Sequence, residues 1–449
     1  MNEKLWLGVI LFVYLVVGGL YASRVPAWQS PDEPAHYNYV RQLANGRFPI
    51  MEATDYDEAY RREVVSSKFA PQYDVSIITY EDWQPPLYYL ILSPVFSLTN
   101  GSLLALRLAS LFIGAGVIIL AYAIAIQLYP EQSWIGLTTA VFVAFLPQHL
   151  SILASVNNDS LTELLIAGVL LIMLQWLGSS PADWRLFNER KYMLAIGFLI
   201  GLGLVTKLSA YLLVPLAGMV LLGRYWGRWD DLFPASVLLL APAFLLGAVW
   251  WVRNLIVYEG IDPVATKAHD AAVIGQVRTA EWITQFGLTG TIQRFLQTTF
   301  NSFWGQFGWM SVPMQPWIYR PLLLFTAVVL LGLLVKSLFR LPANDDEDAE
   351  PNSPLRPFIL VLMLFLTMGM HIYYNITFVQ HQGRYLFPAL VPIGVGVAIG
   401  LGSWLLVLKR LLRGKIAPEL AYAIPFTLGV LLAWLDLFAL YNFILPNLA

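Results

Sequence analysis

The sequence contains no cysteine, which excludes disulfides, thiolate metal sites and a cysteine nucleophile and leaves the redox compartment unmarked. Charge is scarce as well. Only 12% of the 449 residues are Asp, Glu, Lys or Arg, and the formal net charge of −2 offers no basic footprint for nucleic acid. No internal repeat is visible, which counts against transporter folds built from inverted halves.

What the chain has in abundance is apolar surface: 58% of its residues are hydrophobic and 16 are Trp. Apolar runs of roughly 17 to 25 residues, the length a helix needs to cross about 30 Å of hydrocarbon, recur from end to end. The chain reads as an all-α polytopic membrane protein with about eleven spans, near 5–22, 104–128, 134–154, 160–177, 192–206, 208–222, 232–252, 321–339, 356–374, 385–408 and 419–445. Lys207 alone separates 192–206 from 208–222, so these two are either full crossings or one bent pair. The first span lacks a small-residue cleavage site after it and reads as a retained anchor, with the mature chain starting near Met1. With the N-terminus in the cytoplasm, the inside loops collect Arg185, Arg190 and Lys191, then Arg224 and Arg228, then Lys336 and Arg340, then Lys409, Arg410, Arg413 and Lys415, as the positive-inside rule requires.

This topology makes one transmembrane domain of residues 1–449. Loops 23–103 and 253–320, with short turns at 155–159 and 375–384, share the extracytoplasmic side and form the candidate working surface. The acidic loop 340–356, containing Asn344-Asp345-Asp346-Glu347-Asp348-Ala349-Glu350, reads as a solvated cytoplasmic linker.

Carboxylates at the edge of so apolar a protein draw attention to Ser30-Pro31-Asp32-Glu33-Pro34-Ala35-His36-Tyr37. One reading is a helix cap: Ser30 with Glu33 in a capping box, or Asp32 as N-cap with Glu33 and Pro34 in the first turn. The other aims one carboxylate into an outward-facing cavity as a general base, with His36 one turn beyond Asp32 on the same face. Both remain open at this level.

The order of several strings resembles the type-C (GT-C) membrane glycosyltransferases that use polyprenyl-phosphate sugars, especially the branch of protein O-mannosyltransferases and the lipid A aminoarabinose transferase. The carriers are Asp32-Glu33 after the first span, Gly46-Arg47-Phe48-Pro49, Gln84-Pro85-Pro86-Leu87-Tyr88-Tyr89, Arg107-Leu108, Asn157-Asn158-Asp159, Thr206-Lys207-Leu208-Ser209 and Arg253-Asn254. The Asp-Glu-Pro-Ala-His string and Gln382-Gly383-Arg384-Tyr385-Leu386-Phe387-Pro388 are also similar to bacterial and archaeal membrane proteins placed near that superfamily. The resemblance implies a GT-C-like bundle with interfacial helices in the first extracytoplasmic loop, Asp32 as catalytic base and Glu33 as its support. It implies a polyprenyl-phosphate-linked sugar donor, a lipid, glycan or protein acceptor, surrounding membrane lipids, and no metal or other cofactor. In the aminoarabinose branch a Lys often precedes the Pro pair and holds the lipid phosphate. Gln84 stands there in this chain.

Arg107, Lys207, Arg253 and Arg384 therefore become the candidates for clamping a phosphate, against the alternative of snorkelling at the membrane surface. Arg384 leads, with His381, Gln382, Gly383 and Tyr385 around it. Lys207 follows, because an unpaired ammonium in an apolar hairpin is costly. Asn158 and Asp159 either cap the next helix or position the carboxylate and sugar hydroxyls, and His36, Gln84, His381 and Tyr385 complete the candidate substrate contacts. His149, His269 and His371 read as structural. The aromatic cluster Phe303-Trp304-Gly305-Gln306-Phe307-Gly308-Trp309-Met310 is kept as an acceptor or lipid-chain surface, the remaining Trp as belt or core.

The expected chemistry is one inverting displacement: Asp32 takes a proton from an acceptor hydroxyl, which attacks the anomeric carbon and expels the lipid phosphate. The rivals are a lipid-sugar transporter or flippase that uses Asp32, Lys207 and Arg384 as a path, and an oligosaccharide ligase or polymerase with a diphosphate-linked donor.

Overall fold

The computed structural model describes residues 3–178, 186–338, 355–413 and 417–449. The acidic tract 344–350, most of loop 340–356, and Arg185, Arg340 and Lys415 lie outside the described residues.

The expectation of a helical, multi-pass membrane bundle holds. Eight helices among the described residues are long and apolar enough to cross a membrane, or nine if one bent pair counts as a span. In chain order the helices are α1 (Glu3–Arg24), α2 (Glu33–Ala44), α3 (Glu58–Ser66), α4 (Leu87–Leu98), α5 (Leu103–Leu128), α6 (Ser133–Ala144), α7 (Pro147–Leu153), α8 (Asp159–Leu177), α9 (Leu186–Leu204), α10 (Leu213–Arg224), α11 (Trp229–Val257), α12 (Thr266–Ala272) and α13 (Thr279–Trp304). A two-stranded antiparallel hairpin, β1 (Gln306–Phe307) and β2 (Val312–Pro313), interrupts the helices before α14 (Pro316–Leu338), α15 (Leu355–Thr377), α16 (Leu390–Leu411), α17 (Ala423–Ala439) and α18 (Leu445–Leu448).

The count falls short of eleven for local reasons. The expected span 134–154 is α6 and α7, bent by 66° where Pro147 begins a new helix. The stretch after Lys207 forms a 3₁₀ turn, Leu208–Leu212, running into the short α10. Between α9 and that turn Lys207 is fully extended, at φ −161° and ψ 147°, so the segment is a broken pair rather than one rod.

The principal core runs along α1, α5, α6, α7, α8 and α9 and on into α15, α16 and α17. The outward faces stay apolar, with Phe12, Leu245, Val249 and Phe365 all exposed, as lipid rather than water requires. Without a hydrophobic drive in lipid, helices associate by close packing at small residues. On α14 a Cβ at Gly332 would lie 2.0 Å from the Gly400 carbonyl of α16, so these backbones meet only because neither carries a side chain.

The first loop is not a loose insertion. It folds into α2, α3 and α4, and α2 packs against α4. A satellite core of Tyr39, Val40, Tyr88, Tyr89, Leu92 and Leu106 binds both helices to α5 and α8. The head of α2 is thereby fixed beside the N-terminus of α8 and the segment preceding α16, where most of the candidate residues meet.

Candidate active site

Asp32 is the N-cap of α2, the second of the two capping readings, but its side chain makes no capping hydrogen bond. Its backbone sits in the left-handed region at φ 66°, unusual for a residue with a Cβ. That conformation leaves the carboxylate free: Oδ1 accepts from the Tyr80 hydroxyl at 2.8 Å and Oδ2 from Arg384 Nη2 at 2.5 Å. Burial pushes this carboxyl up, but the Arg384 charge and the bonds from Arg384 and Tyr80 more than reverse it, holding Asp32 at about 2. One turn on, His36 is buried with Nδ1 at 2.8 Å from the Tyr89 hydroxyl. Burial draws its pKa down to about 3, so it is neutral at pH 7.

Arg384 owes its position to the residue before it. The amide of Gly383 donates to Ser302 Oγ at 2.7 Å. A Cβ at Gly383 would fall 2.3 Å from Phe303 N and the Thr299 carbonyl, so the segment lies flush on α13 only as glycine. Tyr385 stands beside its neighbour, the Arg384 guanidinium lying 5.6 Å from its ring centroid. The second cation is Lys207, whose Nζ donates to Asp159 Oδ1 at 2.6 Å. Asp159 opens α8, where a carboxylate also suits the helix dipole. Asn158 donates to the Tyr89 hydroxyl at 3.2 Å and approaches Gln84 Oε1 at 3.5 Å.

The structure thus brings together Asp32, His36, Gln84, Asn158, Asp159, Lys207, Arg384 and Tyr385, residues drawn from five separate stretches of sequence. Glu33 points elsewhere. It is fully buried, takes Arg107 Nε at 2.7 Å and Nη2 at 2.6 Å, and accepts the Trp28 and Val156 amides. Arg107 is correspondingly corrected from a phosphate contact to an internal brace. Its other donors go to the carbonyls of Ala22, Val25 and Pro26, because a guanidinium so deep must fill its bonds from protein. Arg253 is likewise engaged outside the cluster. It donates to the Pro49 carbonyl and lies 5.0–5.6 Å from the ring centroids of Trp250, Phe48 and Tyr258, fastening the end of α11 to the first loop. His381 is walled by Trp282 and Phe295 with Nδ1 unpartnered, and burial lowers it to about 4.

In the aromatic cluster 303–310, Trp304 is core, whereas Trp309 covers the first loop, its ring tilted against Phe69 with centroids 6.0 Å apart and its indole N–H donating to the Trp28 carbonyl at 2.9 Å. Of the histidines read as structural, His149 bonds the Val143 carbonyl and Glu163, each at 2.7 Å, deep in the core.

Tyr80 and Glu81 escaped the sequence reading. They lie just ahead of Gln84-Pro85-Pro86, and a carboxylate three residues before that motif was the available signal. Donor atoms of Asp32, His36 and Glu81 lie within 4.8 Å of one another, the only such convergence of at least three His or carboxylate groups among the described residues. Both Asp32 oxygens and His36 Nδ1 already have partners, and the Arg384 guanidinium supplies the positive charge that an ion would bring.

The sequence profile of a family described as "Predicted membrane protein (DUF2142)" matches residues 65–393, more than half of the chain. No curated protein matches in sequence. Among solved structures, the apo oligosaccharyltransferase of Archaeoglobus fulgidus aligns with a TM-score of 0.53 at 12% identity, over 96% of this chain and 56% of that one. ArnT from Cupriavidus metallidurans bound to undecaprenyl phosphate gives 0.47 at 16% identity, over 99% and 73%. The S. cerevisiae protein O-mannosyltransferase Pmt1-Pmt2 complex bound to the sugar donor gives 0.41 at 17%, over 58% and 34%. The chain therefore spans about a third of the yeast protein and somewhat over half of the archaeal one. The archaeal likeness shows a fold shared with that oligosaccharyltransferase.

Proposed function

The chain belongs to the DUF2142 family of predicted membrane proteins, and we propose that it is an inverting membrane glycosyltransferase, moving a sugar from a polyprenyl-monophosphate donor to an acceptor hydroxyl on the extracytoplasmic face. The observation that carries this reading is the uncapped Asp32 carboxylate at the head of α2, held against Arg384 and beside the Lys207–Asp159 pair.

The two cations receive the donor phosphate. Negative charge grows on its oxygens as the glycosidic bond breaks, and fixed cations in a partly dry site stabilise that charge best. Binding also prepares the base. A phosphate that draws the Arg384 donors to itself releases Asp32 Oδ2 and removes the charge that depresses its pKa, so Asp32 gains basicity once the donor is in place. Asp32 then takes the proton of the acceptor hydroxyl, the oxygen attacks the anomeric carbon from the far side, and the lipid phosphate leaves with the bonding electrons. Gln84, Asn158 and Tyr385 orient sugar hydroxyls, while His36 stays neutral and positions Tyr89. Glu33 acts at one remove, by fixing the start of α2.

The test is turnover by purified protein across a panel of polyprenyl-monophosphate sugars and acceptors, comparing the native chain with Asp32→Asn. Sugar-dependent transfer that falls by about 10²–10⁴-fold in the variant, with donor binding retained, is the expected result. Undiminished turnover in Asp32→Asn refutes the base, and absence of any donor binding refutes the reading as a whole.

A further inference from the structure

Three carboxylates converge on this site and only two cations answer them. Arg384 is paired with Asp32 and Lys207 with Asp159, which leaves Glu81 without a counter-ion among the described residues. The Glu81 Oε2 is shut away from solvent without any partner, and the charge that most disfavours its ionised form is the like charge of Asp32. His36, within the same 4.8 Å grouping, is neutral and does not compensate it. The other titratable groups facing it, Tyr80, Tyr89, Tyr374 and Tyr385, are neutral phenols.

We propose that Glu81 is a second catalytic group of this site, a general acid that gives its proton to the departing lipid phosphate while Asp32 takes the proton of the acceptor. The proposal rests on the glycosyltransferase reading and adds a residue to it.

The physical ground is the cost of a half-buried carboxylate whose Oε2 is shut from solvent and which no cation pairs, a cost the group avoids by keeping its proton. Burial and the Asp32 charge push Glu81 up to about 8, so the acid form predominates at neutral pH. A Glu81 oxygen lies within 4.8 Å of the Asp32 carboxylate that takes Arg384, so it shares the pocket in which that cation receives the phosphate. As an acid it donates a hydrogen bond there, whereas an ionised Glu81 would repel the donor. The protons balance. The acceptor O–H proton goes to Asp32, the C–O bond to phosphate breaks, and the Glu81 proton passes to a phosphate oxygen. Asp32, the far stronger acid at about 2, then returns its proton to the Glu81 carboxylate, and both groups are reset without outside help.

The experiment has two arms. In the first, infrared difference spectra of purified protein without substrate are recorded against pH, with Glu81→Gln as the subtrahend. A protonated carboxyl C=O band at pH 7 that is lost on titration near pH 8 and absent in the variant is expected. Asp82, which burial also raises to about 8, serves as control, because its band must survive in Glu81→Gln. In the second arm, wild-type turnover falls above about pH 8, and Glu81→Gln lowers kcat by about 10²–10⁴-fold with little change in donor KM and no alkaline limb. An ionised Glu81 at pH 7, or an alkaline limb that persists in Glu81→Gln, overturns the proposal. A protonated Glu81 in a protein that transfers no sugar from any polyprenyl-monophosphate donor overturns the glycosyltransferase reading and the acid role together, leaving the protonation as a property of the fold.

Discussion

Replacing Arg107 with methionine tests whether the Glu33–Arg107 pair is architecture or chemistry. The guanidinium makes two bonds to Glu33 and three to the carbonyls of Ala22, Val25 and Pro26, all in a setting where both side chains are nearly inaccessible. Removing it strands a carboxylate that retains only the Trp28 and Val156 amides. Breaking one partner of a buried pair costs about 3–5 kcal/mol, whereas replacing both with uncharged groups is often close to neutral. Arg107→Met is therefore expected to lose about 3–5 kcal/mol in unfolding measured by titration in mixed micelles, Glu33→Gln less, and the double variant Glu33→Gln/Arg107→Met less than the sum of the two. In the retained folded fraction, turnover follows stability rather than donor affinity. An Arg107→Met protein that unfolds within about 0.5 kcal/mol of wild type but binds donor weakly would refute this reasoning and return Arg107 to the phosphate.

Gly383→Ala introduces a methyl 2.3 Å from the α13 backbone and displaces Arg384; turnover should fall on the order of 10²-fold although residue 383 contacts no substrate, and unchanged kinetics would sink the argument. His36, drawn from 6.5 down to about 3 by burial, stays neutral in the folded chain while the unfolded chain takes up a proton. Its contribution is complete above about pH 6.5 and is lost toward pH 3, with a slope of about 1.4 kcal/mol per pH unit. A His36→Gln stability curve lacking that one-proton slope is expected, and parallel curves for the two proteins would refute it. Arg253→Lys keeps the charge but not the planar contact with three rings, so it should cost about 1–2 kcal/mol and speed limited proteolysis near Phe48–Met51, with no proteolytic change being the contrary result.

Membrane class and helical content were legible because hydropathy alone demands them, and Asp32, Lys207 and Arg384 stood out because charge is costly in so apolar a chain. Span number was less legible. A bend between α6 and α7 and a break at Lys207 depend on packing that periodicity does not encode. Glu33 looked like a partner of Asp32 because adjacent residues share a motif, but adjacent positions at a helix start point in different directions, and only the fold reveals that Arg107 takes one and Arg384 the other. Glu81 was hidden for a related reason. Its importance lies in which cations are already engaged, a count that requires all three carboxylates in view.

The contact between Asp32 and Arg384 joins positions 352 residues apart. A chain emerging N-terminus first can bring Glu33 against Arg107 after little more than a hundred residues, but Asp32 must wait for its guanidinium until the segment before α16 has been made and laid on α13. Biogenesis therefore separates scaffold from site. The first loop can close early around its internal brace, and the segment to which the proposal assigns the phosphate arrives last, so a fragment that stops short of Gly383 lacks the guanidinium that faces Asp32.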